Sequence, residues 1–234
     1  MLKKLERSNG TLDIVYKNNK LKKIYQSGCS KVLFPNSYNE NNELVFINTA
    51  GGITCDDTIK VKLNLVDSNI SLSTQAAEKI YAGIGNEARI DIDISVKNSN
   101  LYWLPKELIL FNRSKLKRRI NVHLDSSSNV FFCETSIFGR KAMSEQIQNI
   151  SYSDIWNIFI NSKMKHVESI NMSNNIMNNL NNKFTLKNHA AISTILVFGP
   201  LVESIKNDLN KIIETIDNVN CELSMWDNKL IVRS

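Results

Sequence analysis

The residues of this chain that could do chemistry are acids and thiols, and none of them sits at the spacing of a catalytic motif. Cys55-Asp56-Asp57 follows the glycine turn Gly51-Gly52. Carboxylates are hard ligands, whereas a thiolate is soft and suits late transition metals. Three donors on consecutive residues cannot converge on one ion. The triplet therefore reads either as a polar turn around a small buried Cys or as a weak, transient metal contact. Glu78 stands beside Lys79, where a surface ion pair is the plain expectation. Glu134 lies among Phe131, Phe132, Cys133, Ile137 and Phe138. A carboxylate in such a stretch is costly unless it is paired or wetted. That makes Glu134 the strongest candidate for a functional acid, with Arg140 as its expected partner.

Other chemistries find no support. Gly51-Gly52 is not followed by Gly-Lys-Ser/Thr, and no dinucleotide fingerprint, G-x-S-x-G or H-E-x-x-H occurs. His123, His166 and His189 are far apart and form no ligand pair. The four cysteines make no C-x-x-C and read as reduced thiols. A net charge of +6 is spread along the chain, with one dense cluster at Lys115-Leu116-Lys117-Arg118-Arg119. On a strand that run reads as a solvated or partner-facing surface. Without aromatic platforms it does not make a nucleic-acid site. No apolar run follows the N-terminus, and no segment reaches the ~20 apolar residues of a membrane span. A cytoplasmic protein with one domain over 1–234 is the expectation.

These residues must be positioned by strands. Ile59, Val61, Leu63 and Leu65 alternate with polar residues, as do Ile90, Ile92, Ile94 and Val96, and then Ile120, Val122 and Leu124. Successive side chains of a strand face opposite sides, so each run has one apolar face. Asp67-Ser68-Asn69, Lys97-Asn98-Ser99-Asn100 and Asp125-Ser126-Ser127-Ser128-Asn129 supply polar turns between them. Leu12–Tyr16 and Leu21–Tyr25 predict a hairpin around Asn18-Asn19. Ser169–Lys183, rich in Asn, reads as a loop with one helical turn. Ile192–Phe198 suits a buried strand. Leu201, Ile205, Leu209, Ile212 and Ile216 predict an amphipathic helix of about four turns, started by Pro200. Cys221–Met225 and Leu230–Val232 predict a closing hairpin. The fold class is mainly β, with stacked, solenoid-like sheets; no sequence repeat stands out.

Three segments carry a resemblance. Asn48–Gly83, Tyr102–Phe111 and Glu134–Arg140 resemble, in order and distance, the signature of the UreD/UreH family of urease accessory proteins. The likeness is strong from Asn48 to Ala142 and continues through His166-Val167-Glu168 and Leu230–Arg233. It implies a non-enzymatic, mostly β scaffold that assembles with UreF and the GTPase UreG on urease apoprotein. It also implies a water-filled passage that conducts nickel in transit, with no permanently bound cofactor. Matched positions on that passage are Asp57, Glu78, Glu134 and Glu168, and Cys55 is an additional candidate ligand. The chain departs from the family pattern at Cys55-Asp56, where Gly-Gly is usual, and at Ser169, where Arg is common. Longer relatives carry a further C-terminal segment beyond the position of Ser234, so part of a partner interface is expected to be absent or rebuilt.

Two rival readings come from other classes. One is a β-rich interaction module without a metal role. The other is a hydrolase using Glu134 as acid or base, which would need a second catalytic group in a cleft.

Overall fold

A computed structural model describes residues 6–35, 42–140, 145, 147–175, 186, 189–216 and 220–234. The chain opens with the antiparallel hairpin β1 (Asn9–Lys17) and β2 (Lys20–Gly28). It turns on Asn18 and Asn19, both at φ 53°, the left-handed pair that a tight hairpin turn requires. A second hairpin, β3 (Ser30–Leu33) with β4 (Asn42–Asn48), starts the opposing sheet.

Three coils follow, each crossing from one sheet to the other. They are β5 (Thr58–Val66) to β6 (Asn69–Thr74), β8 (Ala88–Lys97) to β9 (Asn100–Leu104), and β11 (Lys115–Leu124) to β12 (Asn129–Phe138). The short strands β7 (Glu78–Ile80) and β10 (Leu108–Leu110) pair with each other, and β10 also pairs with β12. The hairpin β13 (Asn149–Ile160) and β14 (Lys163–Asn175) closes the first sheet. β15 (Ala191–Phe198), the helix α1 (Val202–Glu214), β16 (Glu222–Trp226) and β17 (Lys229–Arg233) close the second. The sheets run β14-β13-β11-β8-β5-β1-β2 and β16-β17-β15-β12-β9-β6-β4-β3. Pairing within the coils is parallel, as stacking of successive turns demands.

A short repeat does underlie the coils. Ser68-Asn69, Ser99-Asn100 and Ser128-Asn129 occupy equivalent corners, each followed by an inward aliphatic residue and then Leu72, Trp103 or Phe132. The Ser68 amide donates to Ser99 Oγ at 3.0 Å, and the Ser99 amide to Ser128 Oγ at 3.2 Å. Asn100 Nδ2 donates to Asn69 Oδ1 at 2.7 Å, and Asn129 Nδ2 to Asn100 Oδ1 at 2.8 Å. These ladders satisfy polar groups that a buried corner would otherwise leave unpaired. The two-residue match at intervals near thirty is too short to stand out by eye.

Between the sheets the side chains stack in rows. Leu63, Ile94, Val122 and Ile158 form one row of the first sheet, and Leu72, Trp103, Phe132 and Leu196 one row of the second. All are buried. Four residues toward the N-terminal end of the first-sheet strands the row reads Ile59, Ile90, Arg118 and Asp154. There the apolar interior gives way to charge.

Three sequence expectations need correction. The Lys115–Arg119 run is not a uniformly solvated surface: Leu116 and Arg118 point into the core, while Lys117 and Arg119 point out. Strand alternation outweighs the local density of charge. Ser169–Asn175 is not loop but the second half of β14, hydrogen-bonded to β13. Ile170 and Met172 face the core there and alternate with the exposed Ser169, Asn171 and Ser173. Residues 176–183 lie outside those described. The helix is shorter than its apolar spacing suggests: Val202 and Leu209 are buried against Val197, Leu230 and Val232, but Ile212 is exposed and Ile216 falls beyond the helix.

Candidate functional site

A chamber of about 270 Å³ opens between the two sheets. Its walls are apolar, with Leu12, Ile59, Ile92, Phe46 and Leu108 among them. Gly51, Gly52 and the segment Gln75–Lys79 also line it, with Lys106 beside that segment through its amide on Thr74 Oγ1 at 2.9 Å. Gly52 has φ +148°, and a Cβ there would sit 2.4 Å from the Tyr81 ring. No larger residue fits that turn without displacing Tyr81.

Two of the acids expected from sequence line this one space, Glu78 and Glu134. Glu78 begins β7, and both of its oxygens accept from Asn48 Nδ2, at 3.1 and 3.3 Å. It is not an ion pair with Lys79. Burial pushes its pKa up to about 7, against the opposing pull of Asn48. Glu134 points inward from β12. Its Oε1 accepts from Trp103 Nε1 at 2.6 Å, and its Oε2 meets Arg118 Nη2 at 2.5 Å. Burial raises the Glu134 pKa from the ordinary carboxylate range, and Arg118 only partly offsets it.

Arg118 is the residue that sequence reasoning missed. It replaces Arg140 as the partner of Glu134; Arg140 instead pairs with Glu145 and lies over the Phe111 ring. Arg118 holds Asp154 through Nε at 2.9 Å and Nη2 at 2.6 Å. Burial disfavours the charged guanidinium, but Asp154 and then Glu134 outweigh that and keep its pKa well above the usual value. The Tyr152 hydroxyl donates to Asp154 Oδ2 at 3.0 Å, and Ser136 Oγ lies 3.0 Å from the same hydroxyl. Extending the period-two pattern would have found them: Leu116, Arg118, Ile120 and Ile150, Tyr152, Asp154, Trp156 share inward faces.

The other expected residues lie elsewhere. Asp57 is buried in the turn before β5; its two oxygens accept the backbone amides of Ser8 and Thr54, each at 2.8 Å. It clamps the start of β1 to the glycine turn. Glu168, on β14, takes two contacts from Arg233 Nη2, at 2.7 and 2.6 Å, with His166 Nε2 3.4 Å away. That pair joins β14, the edge strand of the first sheet, to β17, the second strand from the edge of the other. Burial alone would raise the Glu168 pKa, but His166 and Arg233 hold it below the ordinary value. Cys55 is fully buried against Gly83, and burial pushes its thiol up. None of the three lines the chamber. Among the described residues no three His, Cys, Asp or Glu side chains cluster as a closed metal cage. No helix among them is long and apolar enough to cross a membrane.

The family model described as UreD urease accessory protein matches residues 8–234. The urease accessory protein UreD of Rhizobium leguminosarum bv. trifolii is 34% identical over 216 residues, covering 92% of this chain and 78% of that protein. UreD of Agrobacterium fabrum is 31% identical over 234 residues, covering 97% and 81%. UreD of Brucella suis is 33% identical over 199 residues, covering 82% and 71%.

Proposed function

Because the chain belongs to the UreD family of urease accessory proteins, with a role in urease maturation, we propose that it is a non-catalytic, cytoplasmic scaffold of nickel delivery. In this reading it assembles with UreF and the GTPase UreG on urease apoprotein, and nickel passes through the chamber. One observation carries the reading: two carboxylates from different strands, Glu78 and Glu134, open on a single space between the sheets. The space exceeds the ~30 Å³ share of one water several times over, so an ion can enter with part of its hydration shell. Carboxylates set apart along a wet cavity can hand an ion on, whereas a closed cage would hold it. Asp57 and Glu168 act in this account as structural acids, because backbone amides and Arg233 already engage them.

The test is co-expression of Glu134→Gln and Glu78→Gln variants with UreF, UreG and the urease subunits. Pull-down of the complex and urease activity are read on the same lysates. Assembly with sharply reduced activation is expected. Full activation by the double variant overturns the assignment.

A further inference from the structure

The inner wall of the chamber is itself a cation. The Arg118 side chain is 8% exposed and touches two sets of polar groups. On the chamber side it meets Glu134 through one nitrogen, Nη2. On the far side it holds Asp154 through two, Nε and Nη2. Behind Asp154 stand Tyr152 and Ser136, both buried and neither part of the chamber lining. Polar side chains therefore continue past Arg118 into the interior.

The asymmetry of these contacts matters. The link to Asp154 is a two-point fork, the stronger and more directional arrangement. The link to Glu134 is a single contact that faces open space. If one link yields, it is the one to Glu134, and the fork keeps the guanidinium tethered. Charge points the same way. Without Arg118 the two buried carboxylates would repel each other and share either a proton or a divalent cation. With Arg118 between them, Glu134 is already occupied by a resident competitor.

We infer that Arg118 is a displaceable plug: an incoming divalent cation takes Glu134 from the guanidinium, which swings on Asp154 toward Tyr152 and Ser136 and returns when the ion leaves. The inference rests on the nickel-carrying reading of the chamber. It assigns Arg118 the task of keeping ion residence at Glu134 brief.

The test is calorimetric titration of Ni²⁺ into the full chain. The proteins are wild type, Arg118→Gln, Arg118→Gln/Glu134→Gln and Arg118→Lys, with circular dichroism to check folding. Arg118→Gln is expected to bind Ni²⁺ at least ~10-fold more tightly than wild type, a difference of about 1.4 kcal/mol, and the double variant to lose that gain. Arg118→Lys keeps the charge but loses the fork, so a smaller gain in the same direction is expected. If Arg118→Gln does not fold, Arg118→Lys decides alone. Wild-type affinity in the folded variants overturns the plug, as does a gain that survives removal of Glu134. The conduit is judged separately by urease activation in the Glu78→Gln/Glu134→Gln variant. A tighter Ni²⁺ site in Arg118→Gln beside normal activation there would keep the plug and sink the conduit. Lost activation there without a tighter site would do the reverse.

Discussion

Glu134 and Glu168 each meet an arginine of the opposite sheet, Arg118 and Arg233, yet their surroundings tune them in opposite directions. Glu134 is walled in, and it shares Arg118 with Asp154, so burial wins and its pKa rises. Glu168 has His166 beside it and Arg233 to itself, and against its burial these two favour the charged carboxylate. A buried acid with a dedicated arginine is a rivet between sheets. A buried acid with a shared arginine beside a cavity can exchange its partner. Residue type and family position do not separate these two roles; the partners do.

The sharpest way to break this contrast is Glu134→Lys. It sets a second cation against Arg118 in the interior, and breaking a buried pair costs about 3–5 kcal/mol. We expect a fall of that order in urea denaturation. Wild-type stability would mean that the interior is wetter than described.

pH sharpens the comparison next. The Glu78 pKa is raised from 4.5 to about 7 in the folded chain. The folded state then binds the extra proton. Its contribution to stability is full below the unfolded pKa and is lost as pH rises through about 7, by on the order of 3 kcal/mol. Glu168 has the opposite sign, because its folded pKa is depressed. Its contribution is present above the unfolded pKa and is lost as pH falls through the folded value. Denaturation midpoints across this range should decline more steeply toward neutral pH in wild type than in Glu78→Gln. Parallel curves for the two proteins would contradict the environment described for Glu78.

Glu168→Gln should have a smaller effect. It removes a charge-assisted contact whose arginine is half in water, worth about 1–2 kcal/mol. Urease activation should stay near wild type while thermal stability drops. Lost activation in a normally assembled complex would return Glu168 to the nickel path.

Cys55→Gly is the mildest case. It restores the glycine usual in the family and removes a thiol packed on Gly83. A stability loss of about 1 kcal/mol from the small cavity is expected. Nickel titration should match wild type; weaker binding would make Cys55 a ligand.

Much of the architecture was legible in the chain. Alternation located the coil strands, Asn18-Asn19 the first turn, and Pro200 with its apolar spacing the helix. The far half of β14 was hidden by its density of Asn and Ser, although Ile170 and Met172 alternate there with the exposed Ser169, Asn171 and Ser173. The candidate site was half legible. Glu134 stood out because a carboxylate among aromatics needs a partner. That partner could not be found by proximity in sequence, since Arg140 is near and Arg118 is sixteen residues away on another strand. Charge density in Lys115–Arg119 hid the one inward arginine, although the parity of Leu116, Arg118 and Ile120 was there to read. Asp57 and Glu168 looked equivalent to Glu78 and Glu134 until the fold showed that only the latter two line the chamber.

The central claim, that the chamber carries nickel, is tested most directly by the double variant Glu78→Gln/Glu134→Gln at limiting nickel. The variant keeps side-chain size and removes both chamber carboxylates. Pull-down with UreF, UreG and urease should be unchanged, while urease activation falls at least ~10-fold, equivalent to about 1.4 kcal/mol. Activation equal to wild type in the assembled complex would contradict the account.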